Sequence, residues 1–439
     1  MRIHIDAMAY GADSVGRFEG KTVFVEGGVP GDVCEVDLVS DGKSFSKGVV
    51  SEVVEPSPNR VEPPCPYFSM CGGCPWSNMT REAQLEAKAG SVRDTLQRIG
   101  RMDPELVRNL VAPIEAPSEP WGYRNKVELA VLTGERGFEL GMHARRDGAP
   151  LVRVDRCLLF SKTYQKLVKS VSGALRFLGG SRDLGLERVG VRASERTRQV
   201  EVALWTDPFA FPRAEAAKVL SDATKAGSIV RVLMKERGAA RKIAGVETLA
   251  GCGSWKERIA GGSMRVTAPS FFQVNTAGAE RLVELVLEGL DPAEDEVAVD
   301  LYCGAGTFTL PLARVCDGVV AVESSGSATR DLERNLKNAG LEDAVDVVCD
   351  DTARQLDCLE DADVVVVDPP RAGLERSVVD ALSDSPARAV AYVSCDPATL
   401  ARDLAAFAEK GSLRPVRTTP VDLFPQTFHV ETVTILERR

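Results

Sequence analysis

Cysteine is scarce in this chain. Eleven cysteines in 439 residues, scattered except for one group between residues 65 and 74, exclude the disulfide framework of a small secreted domain. They point to reduced thiols, a metal site or a catalytic thiol. No apolar run approaches the roughly 18 residues of a membrane span. The opening stretch, MRIHIDAMAYGADSVG, lacks the apolar core of a secretory signal. A cytoplasmic protein with no membrane partner is expected. A basic excess is missing too: the net charge is −10, so RNA would be held by a local basic groove and not by long-range attraction. Internal repeats and low-complexity tracts are also lacking. Apolar and charged fractions, 44% and 27%, are ordinary for a globular chain of about two or three domains.

What is present divides into three parts. Residues 1–57 read as short strands with period-two alternation around EGK, GGVPGD and SDGKS, which suggests a small all-β barrel. EPSPNRVEPPCP follows as a linker. Residues 58–262 read as an α+β domain. A helix about 78–100 carries Leu85, Ala89, Val92, Leu96 and Ile99 on one face and can pack on the catalytic domain. The strands KVELAVL, FELGMHA, LERVGVRA, QVEVALW and SIVRVLM follow, interrupted by the helical stretch SKTYQKLVKSVSGALRFLG. In residues 263–439 the unbroken apolar runs VAVDLY, VVAVES, DVVVVDPP and AVAYVSCD alternate with helical stretches. That pattern belongs to a parallel, doubly wound sheet covered on both faces.

Four strand ends carry chemistry. In VAVDLYCGAGTFTLPLA, Gly304 and Gly306 let the backbone pass close to a ligand at a helix start. Glu323, ending VVAVESS, stands where an acid binds ribose hydroxyls in dinucleotide-type folds. Asp368, stopped by two prolines in DVVVVDPPRAG, points a carboxylate at the crevice where open α/β sheets bind ligands. Cys395, in AYVSCDPATL, reaches the same rim. A cysteine in an apolar run is ordinarily small apolar filler; its place beside Asp368 makes a nucleophile an equal reading.

DLYCGAGTFTLPLA, VVVVDPPRAGL, AYVSCDPATLARDL and HVET, in this order, resemble the S-adenosylmethionine-dependent RNA (uracil-5-)-methyltransferases. The N-terminal strands resemble their TRAM barrel, an OB-like RNA-binding module. The resemblance covers nearly the whole chain and is strongest to the cluster-containing branch that acts on 23S rRNA. It implies that Cys395 adds to C6 of uracil and that Glu431 takes the C5 proton. A thiol suits this role because it both adds and departs. For the methyl donor it implies Gln273, Tyr302, Gly304, Gly306, Glu323 and Asp368, with Thr307 and Asp350 at looser positions. Thr307 stands where some relatives have asparagine, and Gln426 replaces a histidine common among them. His429 is read as structural.

CPYFSMCGGC places Cys65, Cys71 and Cys74 in a C-x5-C-x2-C run, with Cys157 in VDRCLLF as a fourth thiol. Spacing alone admits zinc, an iron–sulfur cluster or inert thiols; the resemblance implies a [4Fe–4S] cluster with a structural role. Residues 1–64 hold six Lys and Arg against eleven acids, so RNA contact is expected on the middle domain instead. Tyr123, Arg124 and Lys126, then His143, Arg145 and Arg146, then Arg153 and Arg156 are the candidates. A base must leave its stack to meet Cys395. The expected partner is therefore RNA, 23S rRNA before tRNA, bound by a monomer. The rival from another class is a TRAM-bearing radical methylthiotransferase, whose C-x3-C-x2-C loop on a barrel this chain lacks.

Overall fold

Alternation and glycine turns build the first unit, seen in a computed structural model that describes residues 1–134, 137–145, 148–180, 182–236 and 242–439. Strands β1 (Arg2–Met8), β2 (Ser14–Phe18), β3 (Lys21–Glu26), β4 (Val33–Asp41) and β5 (Phe45–Glu55) close a barrel in the order β1-β2-β3-β5-β4. Ile3, Ile5, Val23, Val25, Cys34 and Val36 point inward as its core. Glu19 and Gly20, both at positive φ (50° and 82°), make the tight β2–β3 turn.

Helix α1 (Arg81–Arg98) follows, N-capped by Thr80, whose Oγ1 accepts from the Ala83 N–H at 3.3 Å. Its buried residues are Gln84, Lys88, Ala89, Val92 and Leu96, while Ile99 is 44% exposed. The buried face is thus turned from the expected one. Gln84 and Lys88 sit inward because they have polar partners on the catalytic domain: Lys88 pairs with Asp422, and Gln84 bonds Gln426. A short α2 (Pro104–Leu110) leads on.

The middle sheet has six strands: β6 (Lys126–Gly134), β7 (Gly137–Gly141), β8 (Leu186–Ala193), β9 (Val200–Thr206), β10 (Ser228–Met234) and β11 (Ile243–Gly251), in the order β11-β10-β9-β8-β6-β7. Helices α3 (Leu167–Gly179) and α4 (Arg213–Thr224) contribute to the apolar core that covers it. The hairpin β12 (Trp255–Ile259) and β13 (Gly262–Val266) straddles the expected boundary at 262/263. It bonds forward into the catalytic unit, for Arg265 N–H donates to Asn335 Oδ1 at 2.7 Å.

The last sheet holds β14 (Val297–Leu301), β15 (Gly318–Val322), β16 (Val345–Val348), β17 (Val364–Val367), β18 (Ala389–Ser394), β19 (Leu413–Val421) and β20 (Glu431–Arg438), ordered β16-β15-β14-β17-β18-β20-β19. The first five are parallel; β20 runs antiparallel to both β18 and β19. The sheet is therefore mixed, not wholly parallel as expected. Helices α5 (Thr276–Leu290), α6 (Thr309–Leu312), α7 (Gly326–Ala339), α8 (Arg376–Asp384) and α9 (Pro397–Lys410) complete the unit, with an apolar core on each face of the sheet. Among the described residues, no helix is long and apolar enough to cross a membrane.

Candidate active site

Strand register assembles the site. Val322, Leu301, Val367 and Tyr392 lie abreast on β15, β14, β17 and β18. The residues that follow, Glu323, Tyr302 and Asp368, therefore share the carboxyl rim of the sheet, and Cys395 leaves β18 at the same edge. From the opposite direction β20 pairs with β18 from Ala389↔Glu437 to Ser394↔Thr432. The ladder stops there, so Cys395 and Glu431 are the residues next to its last pair on the two strands, and the charge of Glu431 bears on the thiol.

Cys395 is held between a strand and a helix. Asp396 caps α9, accepting from the Ala398 and Thr399 N–H groups at 2.8 and 3.1 Å, with Pro397 in the first turn. The thiol is partly exposed, not sealed in the interior. A helix start favours thiolate, yet burial pushes the Cys395 pKa up to about 12; Glu431 and Asp368 add to the rise and Arg371 opposes it. Burial raises Asp368 to about 7. Glu431, 3% exposed, is driven well above the usual carboxylate range by burial, then by Asp368, against Arg371. The thiol thus keeps its proton in the free site and must lose it as a substrate enters.

Next to Asp368 along the rim stand the residues expected at the cofactor. Gly304 is at φ 57°, and a Cβ there would meet nothing within 4 Å, so its face is open. A Cβ on Gly306 would strike Leu310 and Leu332 at 2.4 and 2.6 Å. Gly304 thus offers open backbone, whereas Gly306 is packed closely beneath the turn. The Gly304 N–H donates to Glu323 Oε2 at 3.1 Å and Ser325 N–H to Oε1 at 2.6 Å, which orients that acid. Tyr302 takes a left-handed φ of 65°, uncommon for its type, and its ring turns down toward Thr352 and the core.

Asp300 was not singled out from sequence. It is fully buried; Thr309 Oγ1–H donates to its Oδ2 at 2.6 Å while Oδ1 has no partner. Burial, then Asp368 and Glu323, push its pKa up to about 7. The signal was an acid inside the apolar run VAVDLY. An open glycine, oriented acids and an orphaned carboxylate oxygen fit a cationic nucleoside such as S-adenosylmethionine.

The looser positions are less committed to that rim. Asp350 follows β16 and closes its own loop, accepting from Asp351 N–H at 2.7 Å and Gln355 Nε2 at 2.9 Å. Thr307 lines a small void under the β12–β13 hairpin with Ile259 and Met264. Gln273 is buried, and its carbonyl accepts from Asn125 Nδ2 at 2.9 Å.

Cys65, Cys71, Cys74 and Cys157 line a single cavity of about 520 Å³. Burial raises the Cys74 thiol, and the other three add to the rise. Backbone N–H groups support two of them, Gly73 on Cys71 and Leu159 with Phe160 on Cys157. Two cations border the thiols: the charges of Arg124 and Arg145 oppose the rise at Cys74 and Cys71 respectively. Four thiols beside two half-buried cations fit an anionic thiolate cluster. Among the described residues, no group of three or more His, Cys, Asp or Glu is placed to hold a metal ion as it stands.

The expected RNA contacts are largely turned inward. Tyr123 O–H donates to Pro425 O at 3.1 Å, Lys126 pairs with Glu128 at 2.8 Å, and Arg145 stacks on Phe68 at 4.3 Å. Arg153, Arg156 and His143 are exposed, and Arg146 lies outside the described residues.

Comparison with known proteins follows the same lines. A family model described as tRNA (uracil-5-)-methyltransferase matches residues 353–439, and one described as conserved hypothetical protein 95 matches residues 280–395. An uncharacterised RNA methyltransferase of Thermosynechococcus vestitus is 34% identical, over 99% of this chain and 97% of its own. One of Gloeobacter violaceus is 35% identical, over 99% and 96%. Among solved structures, the Pyrococcus abyssi tRNA (uracil-54, C5)-methyltransferase, in complex with S-adenosyl-L-homocysteine, superposes with a TM-score of 0.75. It is 26% identical and covers 99% of each chain.

Proposed function

The chain belongs to the RNA methyltransferase family, and from that premise we propose that it methylates C5 of a uridine, with S-adenosylmethionine as donor. The observation that supports the reading is a half-open thiol and a buried carboxylate at the same end of the paired strands β18 and β20, each next to their last pair. C5 of uracil is a weak nucleophile. Cys395 sulfur adds to C6 and gives C5 the electron pair it needs; its own proton passes to Asp368, raised by burial to about 7, so that Glu431 stays free to accept the later proton. When bound, S-adenosylmethionine supplies an electrophilic methyl group to that carbon. Glu431 then takes the C5 proton, the C5–C6 double bond re-forms, and the C6–sulfur bond breaks to free Cys395. A base that must accept a proton from carbon gains from a raised pKa.

Gly304, Glu323, Asp300 and Asp368 would hold the donor, and Tyr302, Gln273, Thr307 and Asp350 would border it. The four cysteines would hold a [4Fe–4S] cluster that braces the middle domain. In this reading residues 1–57 are a TRAM barrel, 58–262 the cluster domain and 263–439 the catalytic domain.

The target RNA is 23S rRNA on the strength of the cysteine set. A tRNA target is the second reading, favoured by the family model's description and the P. abyssi enzyme. Mapping 5-methyluridine in both RNAs from cells with and without the gene tests it. One rRNA position losing its methyl group is expected; a lost tRNA methyl group supports the second reading, and no lost 5-methyluridine overturns both.

A further inference from the structure

Tyr10 belongs to the barrel yet stands at the reaction site of the catalytic domain. The loop that carries it, between β1 and β2, is fixed by two hydrogen bonds. Ala9 N–H donates to Asp13 O at 3.0 Å, and Trp76 Nε1–H donates to Gly11 O at 3.1 Å. So held, the tyrosine ring packs against the catalytic core and meets Phe428 edge-on, with centroids 5.9 Å apart and planes at 86°. Phe428 in turn lies against the His429 ring at 4.1 Å, two residues before Glu431. Burial raises the Tyr10 hydroxyl pKa, with the charges of Asp396, Cys395 and Glu431 adding and Arg371 opposing, so the side chain is neutral and close to all four.

An edge-on contact commits the edge of one ring and a face of the other, which leaves ring face for a third partner. A base outside its helix is ordinarily held by stacking on such a face. Tyr10 is half-buried at a loop tip, where the barrel's own core has no use for it.

We propose that Tyr10 and Phe428 form an aromatic wall on which the extruded uracil stacks while its C6 meets Cys395. The barrel thereby supplies a positioning residue to the catalytic domain. This rests on the uracil-5 reading above. It also explains why the barrel is pinned by Trp76 and not left to swing on its linker.

The test compares wild type, Tyr10→Leu and Tyr10→Phe on 5-fluorouridine transcripts of tRNA and of 23S rRNA fragments, with S-adenosylmethionine present. Leucine keeps apolar bulk against the core and removes the ring. At saturating RNA it should slow covalent adduct formation by about tenfold, the value of one base–aromatic stack. Phenylalanine should restore the rate to within about twofold, and donor affinity by calorimetry should not move in either variant. A leucine variant as fast as wild type overturns the inference; so does an equal loss in both variants, which would assign the effect to the hydroxyl. Should the leucine variant fail to fold, wild-type protein irradiated with 4-thiouridine transcripts decides: crosslinks should map to Tyr10 or Phe428, and none at either overturns it. No adduct on any transcript by wild type sinks the uracil-5 reading itself.

Discussion

Lys88→Met probes how the segment leading to Glu431 is held. Lys88 and Asp422 are both 0% exposed, and Arg81 shares the same carboxylate. Lys88 Nζ also donates to Phe424 O at 2.9 Å. Burial lowers the Lys88 pKa to about 8, with Asp422 opposing, so the ammonium is charged at neutral pH. Methionine matches the bulk and deletes the charge. Breaking a buried pair costs roughly 3–5 kcal/mol, because the surviving ion stays desolvated. Arg81 retains part of the attraction, which sets the expected loss at about 3 kcal/mol. For a unit of this size that is a fall of about 6–12 °C in the catalytic domain's unfolding midpoint by calorimetry. Lys88→Met with Asp422→Leu removes both buried charges and should regain most of the loss. A single variant within about 1 °C of wild type would refute the reasoning, since a buried carboxylate would then have lost its partner at no cost.

Glu431→Gln should retain covalent adduct on ordinary uridine RNA and turn over at least about a hundredfold more slowly, because elimination needs the C5 proton removed; gel-shift and product release check this. Asp300→Asn tests the buried acid. The folded pKa of Asp300 is raised from 3.8 to about 7, so its contribution to stability is complete below the unfolded value and is lost as pH rises to about 7. Calorimetry from about pH 5 to 7 should show the wild type losing up to about 1.4 kcal/mol per pH unit relative to the asparagine variant, which lacks that slope. Cys74→Ser should purify without iron or acid-labile sulfide, whereas Cys395→Ala should keep both; equal iron in the two would refute the assignment of the cysteines.

Much of the rim was legible because it is written in local signals. Valine runs ending in Asp368 or Cys395 mark strand ends, and glycines mark the turn between β14 and the helix that follows. The register of β20 was not. Strand β19, LRPVRTTPV, carries two prolines and reads as coil, though at the sheet edge proline costs no ladder bond. Without β19 the antiparallel return of β20, and hence the meeting of Glu431 and Cys395 at one end of the β18–β20 pair, has no cue in the chain; only the resemblance paired them. The inward face of α1 was misread for a related reason. Helical periodicity weighs apolar residues, and Gln84 and Lys88 are buried by polar partners more than three hundred residues away. Tyr10 reaches the site by tertiary packing alone. The acidic barrel was set aside on its charge, which says nothing of one aromatic at a loop tip.

The most direct measurement is mass spectrometry of the wild-type protein after incubation with S-adenosylmethionine and 5-fluorouridine RNA. Fluorine at C5 cannot leave as a proton, so methylated pyrimidine should stay bonded to the peptide that contains Cys395, and Cys395→Ala should carry none. An alanine variant that methylates uridine at the wild-type rate, or an adduct mapped to another residue, would contradict the central claim.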